Sequence, residues 1–475
     1  MNLKANEIAK ALGTIVDSQN IINRVSIDSR DVDENTLFFA IKGERFDGHD
    51  FVKDVAKKGV GAIVCHKKVE CSAPVIYVED TKDALLDFAS YYKSTFPDLL
   101  LIALTGSVGK TTTKEMVACV MEQKGETLKT EGNFNNEIGM PRTLFRLEET
   151  TKNAVIEMGM DGFGQISALT NCAKPDCAII TNIGVSHIEI LGSRDGILQA
   201  KLEILEGLKK GSPVFLNGDD DKLGKVKLDD YKVTFFGIDN KNCDVIAENI
   251  EEKDFTTEFV AIKGDIKQKI TIPTVGVHNV YNALVSFAVG LEYGISPENI
   301  AKGLENYTPS GMRQRIKEVK GITFIEDCYN ASPDSQKAGL NCLCKIAKGR
   351  KIAVLGDMLE MGSFSEQAHR MVGEYAANCG VDVLYTVGKE SKYMADSALK
   401  AGLSNVQNFT DKVEITEILV NELQKGDTIL FKASRGMKLE EMVRWRPMTA
   451  LWPSVLSMPE WIISWKKWPG SKHWA

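Results

Sequence analysis

Leu101-Ile-Ala-Leu-Thr-Gly-Ser-Val-Gly-Lys-Thr-Thr-Thr113 is the stretch that decides the fold. The apolar run Leu99 to Leu104 reads as a buried strand. It breaks at Gly106 and Gly109, with Ser107 and Val108 between them, which allows a tight loop of phosphate size. Lys110, Thr111 and Thr112 follow at once, and a helical pattern continues from Thr112 to about Lys124. Strand, glycine loop, Lys-Thr and helix together specify a phosphate-binding loop. Its backbone N–H groups and the helix N-terminus hold phosphate oxygens. Lys110 adds a positive charge, and the Thr111 hydroxyl can coordinate Mg²⁺. The chain is therefore expected to handle a nucleoside triphosphate. The general pattern carries a further glycine where Leu104 stands, so the loop is a shortened one.

The 475 residues allow several cores. A 43% hydrophobic and 26% charged composition is that of a globular protein, and a net charge of -7 argues against general nucleic-acid binding. An anionic ligand must then be held by local cations and helix N-termini. The ten cysteines are scattered without a Cys-x-x-Cys pair, which speaks against zinc and against a disulfide framework. The opening Met1-Asn-Leu-Lys-Ala-Asn-Glu7 has no apolar signal region, and no apolar run is long enough to span a bilayer. A cytoplasmic, monomeric protein without stable membrane insertion is expected.

Working outward from the loop, residues 1–97 form a first unit with short strand-like runs in Val25–Arg30, Thr36–Gly43, Gly61–Val64 and Pro74–Val78. Residues 98–311 form a second, with buried strand candidates Ala154–Ile156, Cys177–Thr181 and Pro213–Leu216 separated by helical patterns. That alternation predicts a doubly wound parallel sheet, turning strand-rich between Tyr231 and Pro273. Residues 312–443 alternate again, with strands at Lys351–Leu355, Val383–Val387 and Thr428–Phe431, and read as Rossmann-like without the dinucleotide glycines. The expected fold class is α/β in three domains. Residues 444–475 hold all six tryptophans, several prolines and a basic excess. Such a segment could contact a membrane surface, but its prolines prevent a long amphipathic helix. It reads instead as an extension outside the fold.

Glu157 ends its strand beside the expected ligand crevice, where it could bind Mg²⁺ or cap a helix. His187 follows the next strand and reads equally as a metal ligand or a hydrogen-bonded loop residue. Spacing alone makes Lys201 a surface lysine on a helix. Asn133, Asn135 and Asn136 form an amide-rich loop suited to a polar substrate.

Taken in order, these segments resemble the Mur ligases, ATP-dependent enzymes that build the peptide stem of peptidoglycan. The carriers are Asp28-Ser-Arg30, Phe39-Ala-Ile-Lys-Gly-Glu-Arg-Phe-Asp-Gly-His49, Thr105 to Lys114, and Gly132-Asn-Phe-Asn-Asn-Glu-Ile-Gly139. Further on come Glu157-Met-Gly-Met160, Asn182-Ile-Gly-Val-Ser-His187, His278-Asn-Val-Tyr-Asn-Ala-Leu284 and Asp327-Cys-Tyr-Asn-Ala-Ser-Pro-Asp334. The stretch Lys42 to His49 and the Gly132 loop are similar to the member that adds D-alanyl-D-alanine to UDP-N-acetylmuramoyl-tripeptide.

The resemblance implies an acyl phosphate, formed when a substrate carboxylate attacks ATP, and its capture by an amine. It implies Thr111 and Glu157 at a first Mg²⁺, His187 at a second, and Lys201 as a carbamate ligand. Asn279 and Asn282 would contact the nucleotide, and Arg313, Asp327, Tyr329 and Asn330 would close over ATP. Ser29, Arg30 and Gly43 would face the uridine end of the substrate. Asn133, Asn135 and Asn136 would lie nearer the sugar and peptide, and Arg435 near the acceptor. Gln165 and Ser332 depart from the family's Glu and Asn. A ligase extending folate with glutamate, a P-loop ATPase or kinase, and a silent binding module are the rival readings.

Overall fold

The computed structural model describes residues 1–253, 255–309 and 311–443. The extension assigned to 444–475 lies outside the described residues.

The strand Leu100–Thr105 lies between Cys177–Ile180 and Asn153–Glu157, parallel to both. It is apolar from Leu100 to Leu104 because both faces of the sheet are covered. Leu101 and Ala103 face one core with Val214 and Leu216, while Ile102 and Leu104 face the other with Phe215 and Phe287. The sheet has nine strands. From one edge they run Thr127–Lys129, Asn153–Glu157, Leu100–Thr105, Cys177–Ile180, Pro213–Asn217, Lys232–Gly237, Val245–Lys253, Thr256–Lys263 and Ile266–Ile272. Pairing is parallel up to Val245–Lys253, and the last two strands add antiparallel. The strand-rich stretch after Tyr231 thus continues the parallel sheet and then closes it with an antiparallel edge.

After Leu100–Thr105 the chain moves to one edge, returns at Asn153–Glu157, then crosses to the other side at Cys177–Ile180. That reversal opens a crevice at the carboxyl ends of the central strands, where an α/β sheet binds its ligand.

A smaller sheet of four parallel strands precedes it: Arg24–Ser26, Thr36–Phe39, Ala62–Cys65 and Val75–Tyr77. The helix Thr81–Ser94 ties the two sheets together. Asp80 caps it by accepting from the N–H groups of Lys82 and Asp83. Its Leu85 and Phe88 complete the first core, and its Ala89 and Tyr92 enter the central one.

The third sheet runs Arg315–Val319, Ile322–Glu326, Thr428–Lys432, Lys351–Gly356, Val383–Val387, Val406–Phe409. Its first two strands form an antiparallel hairpin, and the rest pair in parallel. All ten cysteines are free thiols. No helix among the described residues is long and apolar enough to cross a membrane.

Candidate functional site

The strand ends and the helix Lys110–Met121 begins within four residues, Gly106 to Gly109. Gly106 and Gly109 both have positive φ, +155° and +82°. A Cβ on Gly106 would sit 1.8 Å from Thr181 Oγ1, and one on Gly109 would sit 2.8 Å from Asn282 Oδ1. Neither position tolerates another residue, because the loop is packed against its walls. The neighbouring strand end holds it in shape: Val108 N–H donates to Asn182 Oδ1 at 3.0 Å, and Ser107 N–H donates to the Asn182 carbonyl at 3.1 Å. Thr181 Oγ1 donates to the Val108 carbonyl at 2.7 Å. The first-turn N–H groups have no carbonyl partner within the helix, which makes this end an anion site.

Lys110 Nζ donates to the Gly106 carbonyl at 2.7 Å, folded back over its own loop. Burial pushes its pKa below the ordinary lysine value; Glu157 opposes that shift and Arg313 adds to it. Thr111 Oγ1 donates to Glu157 Oε2 at 3.0 Å. Glu157 is 2% exposed, and its other oxygen accepts from Asn135 Nδ2 at 2.9 Å. The helix starts at Lys110, earlier than the Thr112 expected from the sequence, so Lys110 and Thr111 belong to its first turn. A Thr hydroxyl and a carboxylate oxygen side by side at a phosphate loop are the hard oxygen donors that Mg²⁺ takes.

Lys201 is 2% exposed on the helix Arg194–Leu202, not on the surface as spacing alone suggested. Burial first, and then the positive charge of Lys110, pull its pKa well below that of a free lysine. No carboxylate pairs with it among the described residues. Both causes favour the neutral amine, the form that combines with CO₂.

His187 takes a left-handed φ of 63° at the start of the short helix Ile188–Leu191. Its Nδ1 lies 3.0 Å from Glu360 Oε2, which comes from the third sheet's unit. Glu360 was missed in the sequence. No group of three or more His, Cys, Asp or Glu side chains suited to a metal exists among the described residues. Glu157 and His187 would therefore need oxygens from elsewhere to complete a site.

Asn279 and Asn282 are buried at the start of the helix Val277–Glu292. Asn282 Oδ1 accepts from Thr113 Oγ1 at 3.0 Å, and Asn279 Nδ2 donates to Gln314 Oε1 at 2.7 Å. They brace the loop's helix and the link into the third unit. That unit reaches over the crevice: the Arg313 guanidinium stacks 4.1 Å from the Tyr329 ring centroid. Asp327 accepts from the buried Lys432 Nζ at 2.6 Å, and the Asn330 carbonyl accepts from the same group at 3.2 Å. In the sequence Lys432 lies just past the strand run Thr428–Phe431 and carried no signal of its own. Arg435 is half exposed and pairs with Glu440 at 2.8 Å.

On the other flank, Arg30 pairs with Asp28 at 2.7 Å. The Ser29 carbonyl accepts from Lys58 Nζ at 2.9 Å, and Gly43 N–H donates to the Phe46 carbonyl at 2.8 Å. Arg142 is near enough to lower the Asp28 carboxyl further, after Arg30, and it stacks 4.4 Å over Phe134. This brings the first unit's loop toward the Asn133–Asn136 loop. Asn136 Oδ1 accepts from Gly139 N–H at 2.8 Å, a capping role, while Asn133 is exposed. Ser332 caps the helix Pro333–Ile346 through reciprocal bonds with Ser335, and Gln165 bonds Asp161.

Family models match along the same three units: Mur ligase family, catalytic domain, over residues 21–93; Mur ligase middle domain over 104–290; and Mur ligase, glutamate ligase domain, over 312–435. The chain belongs to the Mur ligase family. Among curated Mur ligases, it is 41% identical over 432 residues to the UDP-N-acetylmuramoyl-tripeptide–D-alanyl-D-alanine ligase of Bacillus subtilis, covering 90% of this chain and 93% of that one. It is 34% identical over 429 residues to the same-named ligase of Escherichia coli, covering 89% and 93%. Among solved structures, MurF from Acinetobacter baumannii superposes with a TM-score of 0.87 at 31% identity, over 94% of this chain and 98% of that one. MurF ligase from Thermotoga maritima, in complex with ADP, gives 0.82 at 28% identity, over 91% and 98%.

Proposed function

We propose that this Mur ligase joins D-alanyl-D-alanine to UDP-N-acetylmuramoyl-tripeptide at the expense of ATP, in the synthesis of peptidoglycan precursors. The observation that carries the reading is the Lys110–Thr111–Glu157 cluster at the phosphate loop, facing two flanking units that bear the family's motifs. Similarity to same-named relatives along nearly the whole chain supports the choice of substrate. The ADP held by the Thermotoga maritima relative supports ATP as the nucleotide.

A carboxylate is a poor electrophile, so it must be activated. One oxygen of the tripeptide's terminal carboxylate attacks the γ-phosphorus of ATP, and ADP leaves. The amine of D-alanyl-D-alanine then attacks the acyl carbon. Phosphate departs with that carboxylate oxygen, and the amine loses a proton. Lys110 stabilises the charge spread over the transferring phosphoryl oxygens. Mg²⁺, when bound, neutralises phosphate charge. Thr111 and Glu157 are the oxygens that would hold it, and His187 with a Lys201 carbamate would serve a second ion. The buried Lys201 amine, whose surroundings disfavour its charged form, supports that modification. Arg313, Asp327, Tyr329 and Asn330 would cover the nucleotide, with Asn279 and Asn282 bracing it. Ser29, Arg30, Gly43, Asn133, Asn135 and Asn136 would line the UDP-sugar side, and Arg435 the acceptor side.

The division we favour is 1–97, 98–311 and 312–443, in keeping with the three larger sheets. A cytoplasmic monomer fits the reaction's soluble nucleotide substrates. The test is phosphate release with ATP, Mg²⁺, bicarbonate, the UDP-muramoyl tripeptide and D-alanyl-D-alanine, omitting one component at a time. Release that needs both substrates is expected. Equal release without them would make the protein a simple ATPase.

A further inference from the structure

His187 is met from across the boundary between the central and third units. Glu360 Oε2 lies 3.0 Å from His187 Nδ1. That nitrogen is buried and has no aligned hydrogen bond among the described residues, and Glu360 lies within hydrogen-bonding distance of it. Both residues have φ of 63°, a backbone state that residues with a Cβ rarely adopt. The pair is backed by a second contact: a Cβ on Gly362 would come within 2.9 Å of Glu189 Cγ, so the two turns are pressed together. Glu360's own turn is fixed from behind. Met358 N–H donates to His369 Nε2 at 2.9 Å, and Leu359 N–H donates to Ser434 Oγ at 2.9 Å. The Glu360 side chain, 64% exposed, meets a ring 23% exposed while keeping much of its surface in solvent.

We propose that Glu360 is a positioning residue for the ligase reaction: it holds the His187 ring by Nδ1, leaving Nε2 to face a cation, and so links that cation site to docking of the third unit. The proposal rests on the reading of His187 as a cation ligand. A histidine that binds a metal through one nitrogen is commonly oriented by a carboxylate on the other, and loss of that partner weakens the metal about 10- to 100-fold. Here the partner comes from a different unit, so the ring is oriented only while the two turns are together.

The experiment is a Mn²⁺ titration of the full chain with ADP present, followed by electron paramagnetic resonance. Wild type is compared with Glu360→Gln, Glu360→Ala and Glu360→Asp. Because Glu360 is exposed, none of the three opens the core. The expected result is that Gln and Ala weaken one Mn²⁺ site about 10- to 100-fold, with Asp recovering part of the loss. In turnover assays the half-saturating Mg²⁺ concentration rises, and the lost rate returns as Mg²⁺ is raised. Unchanged Mn²⁺ affinity in Glu360→Gln, with melting as in wild type, overturns the proposal while leaving the ligase reading intact. If His187→Ala also leaves Mn²⁺ affinity unchanged, the reading of His187 falls and the proposal falls with it.

Discussion

Lys110 and Lys201 are two lysines whose surroundings give them opposite tasks. Lys110 lies against the loop carbonyls; burial lowers its pKa, but Glu157 nearby works against that shift and supports the charged form. Lys110→Ala should lower kcat about 10²- to 10³-fold, as loss of a preorganised charge partner does, with circular dichroism unchanged. Lys201 has no such partner, and burial favours its neutral amine. A carbamate forms from the neutral amine and CO₂, releasing a proton, so mild acid opposes it. Activity should therefore fall in CO₂-depleted buffer and as pH is lowered, and bicarbonate should restore it. A ¹³C carbamate resonance after labelling with ¹³CO₂, absent in Lys201→Ala, is the direct check. Neither feature is equally legible in the sequence. Lys110 stands in a motif whose glycines, lysine and threonine act on a shared ligand. Lys201 sits next to Ala200 at the margin of an apolar face, and only tertiary packing decides that it is buried.

Among the elements, the turn after Lys351–Gly356 carries Glu360 and depends on His369 of the helix Ser365–Asn378. His369 is fully buried, its Nε2 accepting from Met358 N–H and its Nδ1 donating to the Ser365 carbonyl at 2.7 Å. Burial holds its pKa below the ordinary 6.5, so the folded state keeps it neutral. The unfolded chain binds the proton first as pH falls. The stabilisation is complete above about pH 6.5 and is lost from there downward toward the folded pKa. Chemical denaturation across pH 5 to 8 should show this loss, and His369→Ala should cost about 2 to 3 kcal/mol and remove the slope. Elements like this helix were readable because its buried positions recur at helical spacing. The hairpin Arg315–Val319 with Ile322–Glu326 was not: charged residues break its alternation, and its turn, Lys320-Gly321, needs positive φ at a lysine. The contact of Glu360 with His187 was illegible for a different reason. It joins two turns far apart in the chain, and neither turn needs the other to form locally.

At the scale of the whole molecule, the crevice is built by three units that each supply part of it. Arg313 lies in the link between the second and third, near Lys110 and stacked on Tyr329. ADP with Mg²⁺ at about a hundred times its Kd should stabilise the protein by about 2.7 kcal/mol, and Arg313→Ala should reduce that gain in thermal melting. The plan of three larger sheets was visible in the alternation of apolar runs and helical patterns. The shared helix Thr81–Ser94 was not, since its two faces serve different cores. The account turns on ATP activating a carboxylate rather than water. Its most direct test is to label the tripeptide's terminal carboxylate with ¹⁸O, run the reaction with D-alanyl-D-alanine in unlabelled water, and weigh the phosphate released. One ¹⁸O in each phosphate, with a UDP-muramoyl pentapeptide as co-product, is the predicted result. Phosphate carrying no ¹⁸O would contradict it.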